Sequence, residues 1–317
     1  MLTQAFIFFS GLVVLSWSAN RFILGASALA RIVGVSPMII GLTIVAMGSS
    51  APEIMVAASA AMSGRPDTAV GNAIGSNIAN IALVLGITTL LKPLKVSSST
   101  LRREMPLVLM VSVLATWLLW DLQLTRSEGV VLLVLFFITI GLLIRLSLRT
   151  SGKDPLSREL QEEVPERLKP LHAIFWLLLG LFLLPLSAHY MVASAVFIAA
   201  YFGVSDLVIG LTIIAIGTSL PELAACVAGV IRKEQDLALG NILGSNIFNI
   251  LAVLAMPGII APDSIDAGVR RDLLIMLALT SLLLFFGSAI RGRRRIERWH
   301  GGILLMSFAA YQISLFP

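Results

Sequence analysis

Gly48-Ser49-Ser50-Ala51-Pro52-Glu53 sets two hydroxyls, a proline and a carboxylate inside an otherwise apolar run. The arrangement returns 169 residues later as Gly217-Thr218-Ser219-Leu220-Pro221-Glu222. An ionisable residue at mid-membrane costs roughly 2.5–3.5 kcal/mol on insertion scales. A chain that carries it at two matched places has a use for both. The match extends outward at the same offset. Residues 34–53 (GVSPMIIGLTIVAMGSSAPE) repeat as 203–222 (GVSDLVIGLTIIAIGTSLPE), and 71–81 (GNAIGSNIANI) as 240–250 (GNILGSNIFNI).

The surrounding composition is that of a membrane protein. Of 317 residues, 57% are hydrophobic and 13% charged, against about 25% charged in a soluble domain. Mean hydropathy is +0.95. Apolar spans can be drawn at 3–30, 35–63, 67–91, 103–121, 127–147, 170–201, 205–231, 236–260, 272–290 and 299–316. The short alternating segments of a β-barrel are not seen. Five spans fall in each repeat period, and five is odd, so the second copy enters the membrane from the opposite face. The predicted fold is an all-α polytopic membrane protein. Its ten transmembrane helices form two inverted-topology five-helix repeats, 1–147 and 170–317, with the second and seventh helices interrupted. A polar linker, 148–169, joins them.

Charge gives the orientation. Assigning connections alternately to two sides puts 18 Lys and Arg on one side and 4 on the other. The rich side is expected to be cytoplasmic, which makes the linker cytoplasmic and leaves both termini outside. The net charge of +5 therefore reflects topology rather than nucleic-acid binding. The N-terminus lacks a basic n-region, so no cleaved signal peptide is expected. Arg21 alone lies inside a span, where snorkelling and lining a vestibule are both open. The single cysteine, Cys226, excludes an intrachain disulfide and a multi-Cys metal site, and reads as a packing residue beside its counterpart Ala57. Asp67 and Asp236 stand where the third and eighth spans begin and read as N-caps.

Proline has no N–H to give the carbonyl four residues back. Pro52 therefore releases the carbonyl of Gly48, and Pro221 that of Gly217. Such irregular backbone is tolerated at membrane depth only where protein or a cavity receives it. On the third span Ser76 and Asn80 share a helix face, as Ser245 and Asn249 do on the eighth. Asn72, Asn77, Asn241 and Asn246 read as interhelical glue, and Gly71, Gly75, Gly240 and Gly244 as points of close helix approach. The candidate ligands are then Glu53, Glu222, Ser49, Ser50, Thr218, Ser219, Ser76, Ser245, Asn80, Asn249 and the carbonyls of Gly48 and Gly217. Every donor is oxygen, which suits Ca²⁺ or Na⁺ rather than soft metals. Two carboxylates balance one Ca²⁺, and a site that cannot hold both loads at once exchanges them by competition.

The paired G-S/T-S-x-P-E and G-N-x-x-G-S-N-I-x-N motifs resemble the α-repeats of the cation/calcium exchanger superfamily, most closely its short prokaryotic sodium/calcium exchangers. The resemblance implies that Glu53 and Glu222 are the central ligands. It makes the serines and threonine above contributors of hydroxyls or carbonyls, with Asn80 completing one half. It makes the first and sixth spans a sliding pair that alternates access. Some members, the potassium-dependent ones included, carry Asp where this chain has Asn249, which argues against potassium co-transport.

The reading is a secondary-active, electrogenic antiporter of the plasma membrane that exchanges Ca²⁺ for Na⁺ at a midplane site and normally extrudes Ca²⁺. The alternative is a Ca²⁺/H⁺ antiporter of the same fold, with the two Glu carrying protons. The expected partners are Ca²⁺, Na⁺ and the lipid bilayer, with no cofactor, no nucleic acid and no obligate protein partner. An intramembrane enzyme needs a positioned base and an oxyanion hole, and no His is placed to serve. A channel fits interrupted inverted repeats less well than alternating access does.

Overall fold

The computed structural model describes residues 1–98, 100–150, 168–203, 215–288 and 295–315. Most of the expected linker, and residues 204–214 of the seventh span, lie outside the described residues. Helix occurs in all ten apolar spans. In chain order the helices are α1 (Leu2–Val33), α2 (Pro37–Ser49), α3 (Ala51–Met62), α4 (Pro66–Leu91), α5 (Met105–Leu118) and α6 (Arg126–Thr150). They continue as α7 (Pro170–Tyr201), α8 (Ala215–Thr218), α9 (Leu220–Ile231), α10 (Gln235–Ile260), α11 (Gly268–Gly287) and α12 (Arg298–Ser314). Among the described residues, α1, α4, α6 (over Arg126–Arg145), α7 and α10 are each long and apolar enough to cross a membrane, and the α2–α3 pair makes a sixth.

Helix is what these residues must form if they meet lipid, because the backbone has to satisfy itself there. Their hydroxyls do the same. Thr88 donates to Val84 O at 2.7 Å, Ser112 to Val108 O at 2.8 Å and Thr280 to Met276 O at 2.8 Å, each one turn back along its own helix. The outer surface is apolar: Phe6, Phe9, Phe137, Phe182, Phe285 and Ile313 are all exposed. A surface of this kind belongs in a bilayer.

Two clusters make up the interior. The larger is built on α4 and α10 and holds Ile78, Ile81, Leu85, Leu243, Ile247 and Leu251 with neighbours from α5, α11 and α12. The smaller joins α1 to α7 through Phe22, Ile23, Leu177, Leu184 and Met191, and reaches Ala225 and Ala228 of α9. Trp17 and Trp176 meet edge to face at 6.0 Å along this pair. Arg21 lies between them, its guanidinium 4.6 Å from the Trp176 ring and 5.7 Å from that of Trp17. Cation–π contacts hold it there.

Close approach of α2 to α10 rests on Gly240 and Gly244. A Cβ at Gly240 would run into Met38 O, and one at Gly244 into Leu42 O. Residues 207 and 211, which the repeat matches to Met38 and Leu42, lie outside the described residues.

The structure departs from the sequence reading in three places. Asp67 and Asp236 are not N-caps: α4 is preceded by Arg65 and α10 by Glu234, each without a side-chain capping bond. Asp67 instead accepts the backbone N–H of Asp266 at 2.7 Å, tying the start of α4 to the loop before α11. Among the described residues, four two-residue strands add two antiparallel ribbons to the all-α architecture. Strand β1 (Leu94–Lys95) pairs with β4 (Arg295–Ile296), and β2 (Gln123–Leu124) with β3 (Asp263–Ser264). Third, α2, α4 and α10 are not regular throughout. Each carries a π-helical turn, at Gly41–Val45, Asn80–Val84 and Asn249–Val253.

Candidate cation site

The second span breaks at Ser50, where α2 and α3 meet at 43°. Ser50 has left the helical region (φ −90, ψ 9), and Ser219 has done so at the matched break between α8 and α9 (φ −89, ψ 4). Each proline then sits in the first turn of the helix that follows, where its missing N–H has no intrahelical partner to lose. Glu53 and Glu222 follow directly, within the first turn of α3 and α9. A helix N-terminus carries a positive partial charge from its free N–H groups. The breaks therefore aim two such termini at two carboxylates.

Both carboxylates are fully buried. Ser50 Oγ bridges the copies: it donates to Glu222 Oε1 at 2.9 Å and lies 3.0 Å from Ser245 Oγ. Ser49 Oγ donates to Asn241 Oδ1 at 3.1 Å. The Asn241 amide donates to Cys226 Sγ at 3.4 Å, and that thiol reaches Ala238 O at 3.5 Å. Cys226 is therefore hydrogen-bonded as well as packed. Asn72 donates to the Glu53 carbonyl at 3.2 Å. Asn77 donates to Met276 Sδ at 3.5 Å, whereas Asn246 turns back onto Ile242 O of its own helix at 3.0 Å. Three of the four asparagines read as interhelical glue thus reach another helix, as expected, and Asn246 bonds only within its own.

Several polar atoms are buried with no hydrogen-bond partner among the described residues. They include both oxygens of Glu53, Oε2 of Glu222, Ser219 Oγ and both side-chain polar atoms of Asn80 and Asn249; Arg21 Nε, Asn77 Oδ1, Glu104 Oε2, Asn246 Oδ1, His300 Nε2 and Gln312 Oε1 are in the same condition. A buried carboxylate without a partner is among the costliest arrangements a protein can hold. Five of the residues that the sequence singled out, Glu53, Glu222, Ser219, Asn80 and Asn249, are thus among those left unsatisfied, whereas Ser49 and Ser50 are hydrogen-bonded. Asn80 and Asn249 also open the π-helical turns of α4 and α10. The Leu254 N–H reaches back to Asn249 O at 2.9 Å, skipping the helical spacing. Such turns recur at functional sites, and nothing in the sequence signals them. Of the other candidates, Ser76 is buried but has no direct bond to the rest among the described residues, and Thr218 is half-buried. Gly48 and Gly217 are buried, and helix α7 covers both: a Cβ at Gly48 would strike Leu181, and one at Gly217 would strike Val192. A cavity of about 530 Å³ lies elsewhere, lined by Trp117, Trp120, Asp121 and Glu128.

Comparison with known proteins gives the family. The family model for the sodium/calcium exchanger protein matches residues 3–145 and 172–316. The chain belongs to the sodium/calcium exchanger family. Relatives of this exchanger include CaxA of Alkalimonas amylolytica, 55% identical, with 100% of this chain and 99% of that one covered. The sodium/calcium exchanger MaX1 of Methanosarcina acetivorans is 31% identical over 96% of each chain. A solved structure of the sodium-calcium exchanger NCX_Mj, soaked with Na⁺ and Ca²⁺, superposes with a TM-score of 0.86 at 30% identity, covering 100% of both chains. The protein is thus a multi-pass, all-α membrane exchanger with duplicated repeats, a transporter of the cation/Ca²⁺ antiport class and not an enzyme.

Proposed function

We propose that this exchanger moves Ca²⁺ against Na⁺ across the plasma membrane, with Glu53 and Glu222 as the two charged ligands. The observation that carries the reading is the pair of buried carboxylates, brought together where Ser50 of one copy bonds Glu222 of the other, with three of their four oxygens unpartnered among the described residues. One Ca²⁺ brings two positive charges to two negative ones and takes six to eight oxygens. Ser49, Ser50, Ser76, Thr218, Ser219, Ser245, Asn80, Asn249 and the carbonyls of Gly48 and Gly217 are the further donors of this reading. Sodium competes for the same oxygens, so the site carries one load or the other.

Ten crossings in two oppositely inserted copies, 1–147 and 170–317, with 148–169 on the cytoplasmic side and both termini outside, complete the reading. The ribbons support this sidedness. Strands β1 and β4 belong to connections that charge sorting puts on the Lys/Arg-rich side, and β2 and β3 to connections on the poor side. The bond between Asp67 and Asp266 also joins two poor-side connections.

Exchange of Ca²⁺ for protons is the second reading. The Glu pair has no basic partner among the described residues, and two protons neutralise it as one Ca²⁺ does. Calcium flux into proteoliposomes under separately imposed Na⁺, H⁺ and K⁺ gradients tests both. Flux driven by Na⁺ and indifferent to a pH gradient is expected, and the opposite dependence overturns Na⁺ coupling.

A further inference from the structure

The turn between α9 and α10 is bound to α1 by side chains that have no equivalent in the other copy. Glu234 accepts the hydroxyl of the buried Ser27 and lies 3.8 Å from Arg31. Arg232 donates through Nε to Asn20 Oδ1. Between them Lys233 holds a left-handed backbone, φ 64. Its repeat counterpart is Gly64, with φ 68 at the same turn. A residue with a Cβ is strained there and glycine is not. The second copy therefore keeps the turn against its own side chain, with both flanking residues tied to α1. The counterparts of the tied residues are His189, Val196, Ala200, Ser63 and Arg65. They include no acidic group, and no hydrogen bond or ion pair links them among the described residues.

Packing shows the same asymmetry. Helix α1 lies along α9, and Ala225 is 0% exposed in a cluster with Ala19, Phe22 and Ala26. In the other copy α7 makes almost no contact with α3 among the described residues, and Val56, the counterpart of Ala225, is 39% exposed. Among the described residues, α1 thus packs along α9, and α7 does not pack along α3 in the same way.

We propose that Asn20, Ser27, Arg31, Arg232 and Glu234 form the gate that holds the Lys/Arg-rich mouth of the exchanger closed. The inference rests on the alternating-access reading above. The two mouths then close by different chemistry. The inner one closes through a charged clasp that must break before α1 can move, and the outer one has no acid at these positions to set against Arg65. The clasp biases the empty carrier toward the state open on the Arg-poor side.

The test places a reporter under the clasp. In a Cys226→Ala background, Ala228→Cys sits on α9 against α1. A membrane-impermeant methanethiosulfonate reagent is applied from the Lys/Arg-rich side of oriented proteoliposomes, and Ca²⁺ exchange is measured on the same preparation. Glu234→Gln and, separately, Arg31→Gln are expected to label faster than the parent, about tenfold for Glu234→Gln, which corresponds to about 1.4 kcal/mol. The exchanged pair Arg31→Glu with Glu234→Arg is expected to restore slow labelling. Unchanged labelling in both single variants, or equal acceleration from both sides of the membrane, overturns the gate. Absence of Ca²⁺ exchange in the parent protein overturns the transport reading instead.

Discussion

Replacing Glu222 by Gln separates binding from folding. The substitution keeps the side chain's shape and leaves an amide oxygen 2.9 Å from Ser50 Oγ to accept its bond. It also removes one of two buried negative charges that repel each other in the absence of a cation. The cation-free protein is therefore expected to unfold no earlier than the wild type. With Ca²⁺ the outcome reverses. Breaking one side of a buried charge pair costs about 3–5 kcal/mol, which is about 10²- to 10³·⁵-fold in apparent Ca²⁺ affinity. A wild-type protein held at a hundred times its dissociation constant gains about 2.7 kcal/mol from the ligand. At the same Ca²⁺ concentration the variant is expected to gain almost nothing. Thermal unfolding in detergent, with and without Ca²⁺, reads both quantities, and flux in proteoliposomes should fall to near background. A variant that keeps the full Ca²⁺-induced rise in Tm, or full flux, would refute the ligand role of Glu222. A variant that unfolds earlier without Ca²⁺ would show that the carboxylate stabilises the fold.

Ser50→Ala strips Glu222 Oε1 of its donor and Ser245 of its neighbour. Leaving that oxygen unpaired costs about 1–3 kcal/mol, so a raised KM for Ca²⁺ is expected alongside a lower Tm, whereas an unchanged KM would place Ser50 outside the site. Asn249→Asp adds a third carboxylate at the opening of the α10 π-helical turn; cation selectivity or coupling should change more than Tm does, as read by flux with Na⁺ and K⁺ varied separately. Gly244→Val drives a branched side chain into the Leu42 carbonyl and is expected to lower Tm by the equivalent of at least about 1–3 kcal/mol, with no Ca²⁺-dependent component.

Much of this was legible in the sequence because it is written twice. The six residues at each break, the carboxylates and the polar positions of α4 and α10 recur at one offset, and recurrence distinguishes a site from a scatter of polar residues. The π-helical turns were not legible. Asn80 and Asn249 stand out by their side chains, but an inserted residue in a helix leaves no compositional trace. Local spacing also misleads at Asp67: it suggests a cap, while the carboxylate's partner is the backbone of Asp266, 199 residues away. Arg21 gave no local clue because the ring that holds it most closely, Trp176, belongs to the other copy.

The two ribbons have a bearing on how such a chain arose. Each takes one strand from each copy, and exchanging the copies turns β1 with β4 into β3 with β2. Had the halves once been separate, identical polypeptides facing opposite ways, both ribbons would have been clasps between subunits, one on each side of the bilayer. Fusion of two such genes would leave the clasps in place and free each half to diverge. The charged turn at Arg232, Lys233 and Glu234, set against Ser63, Gly64 and Arg65, would be one product of that freedom.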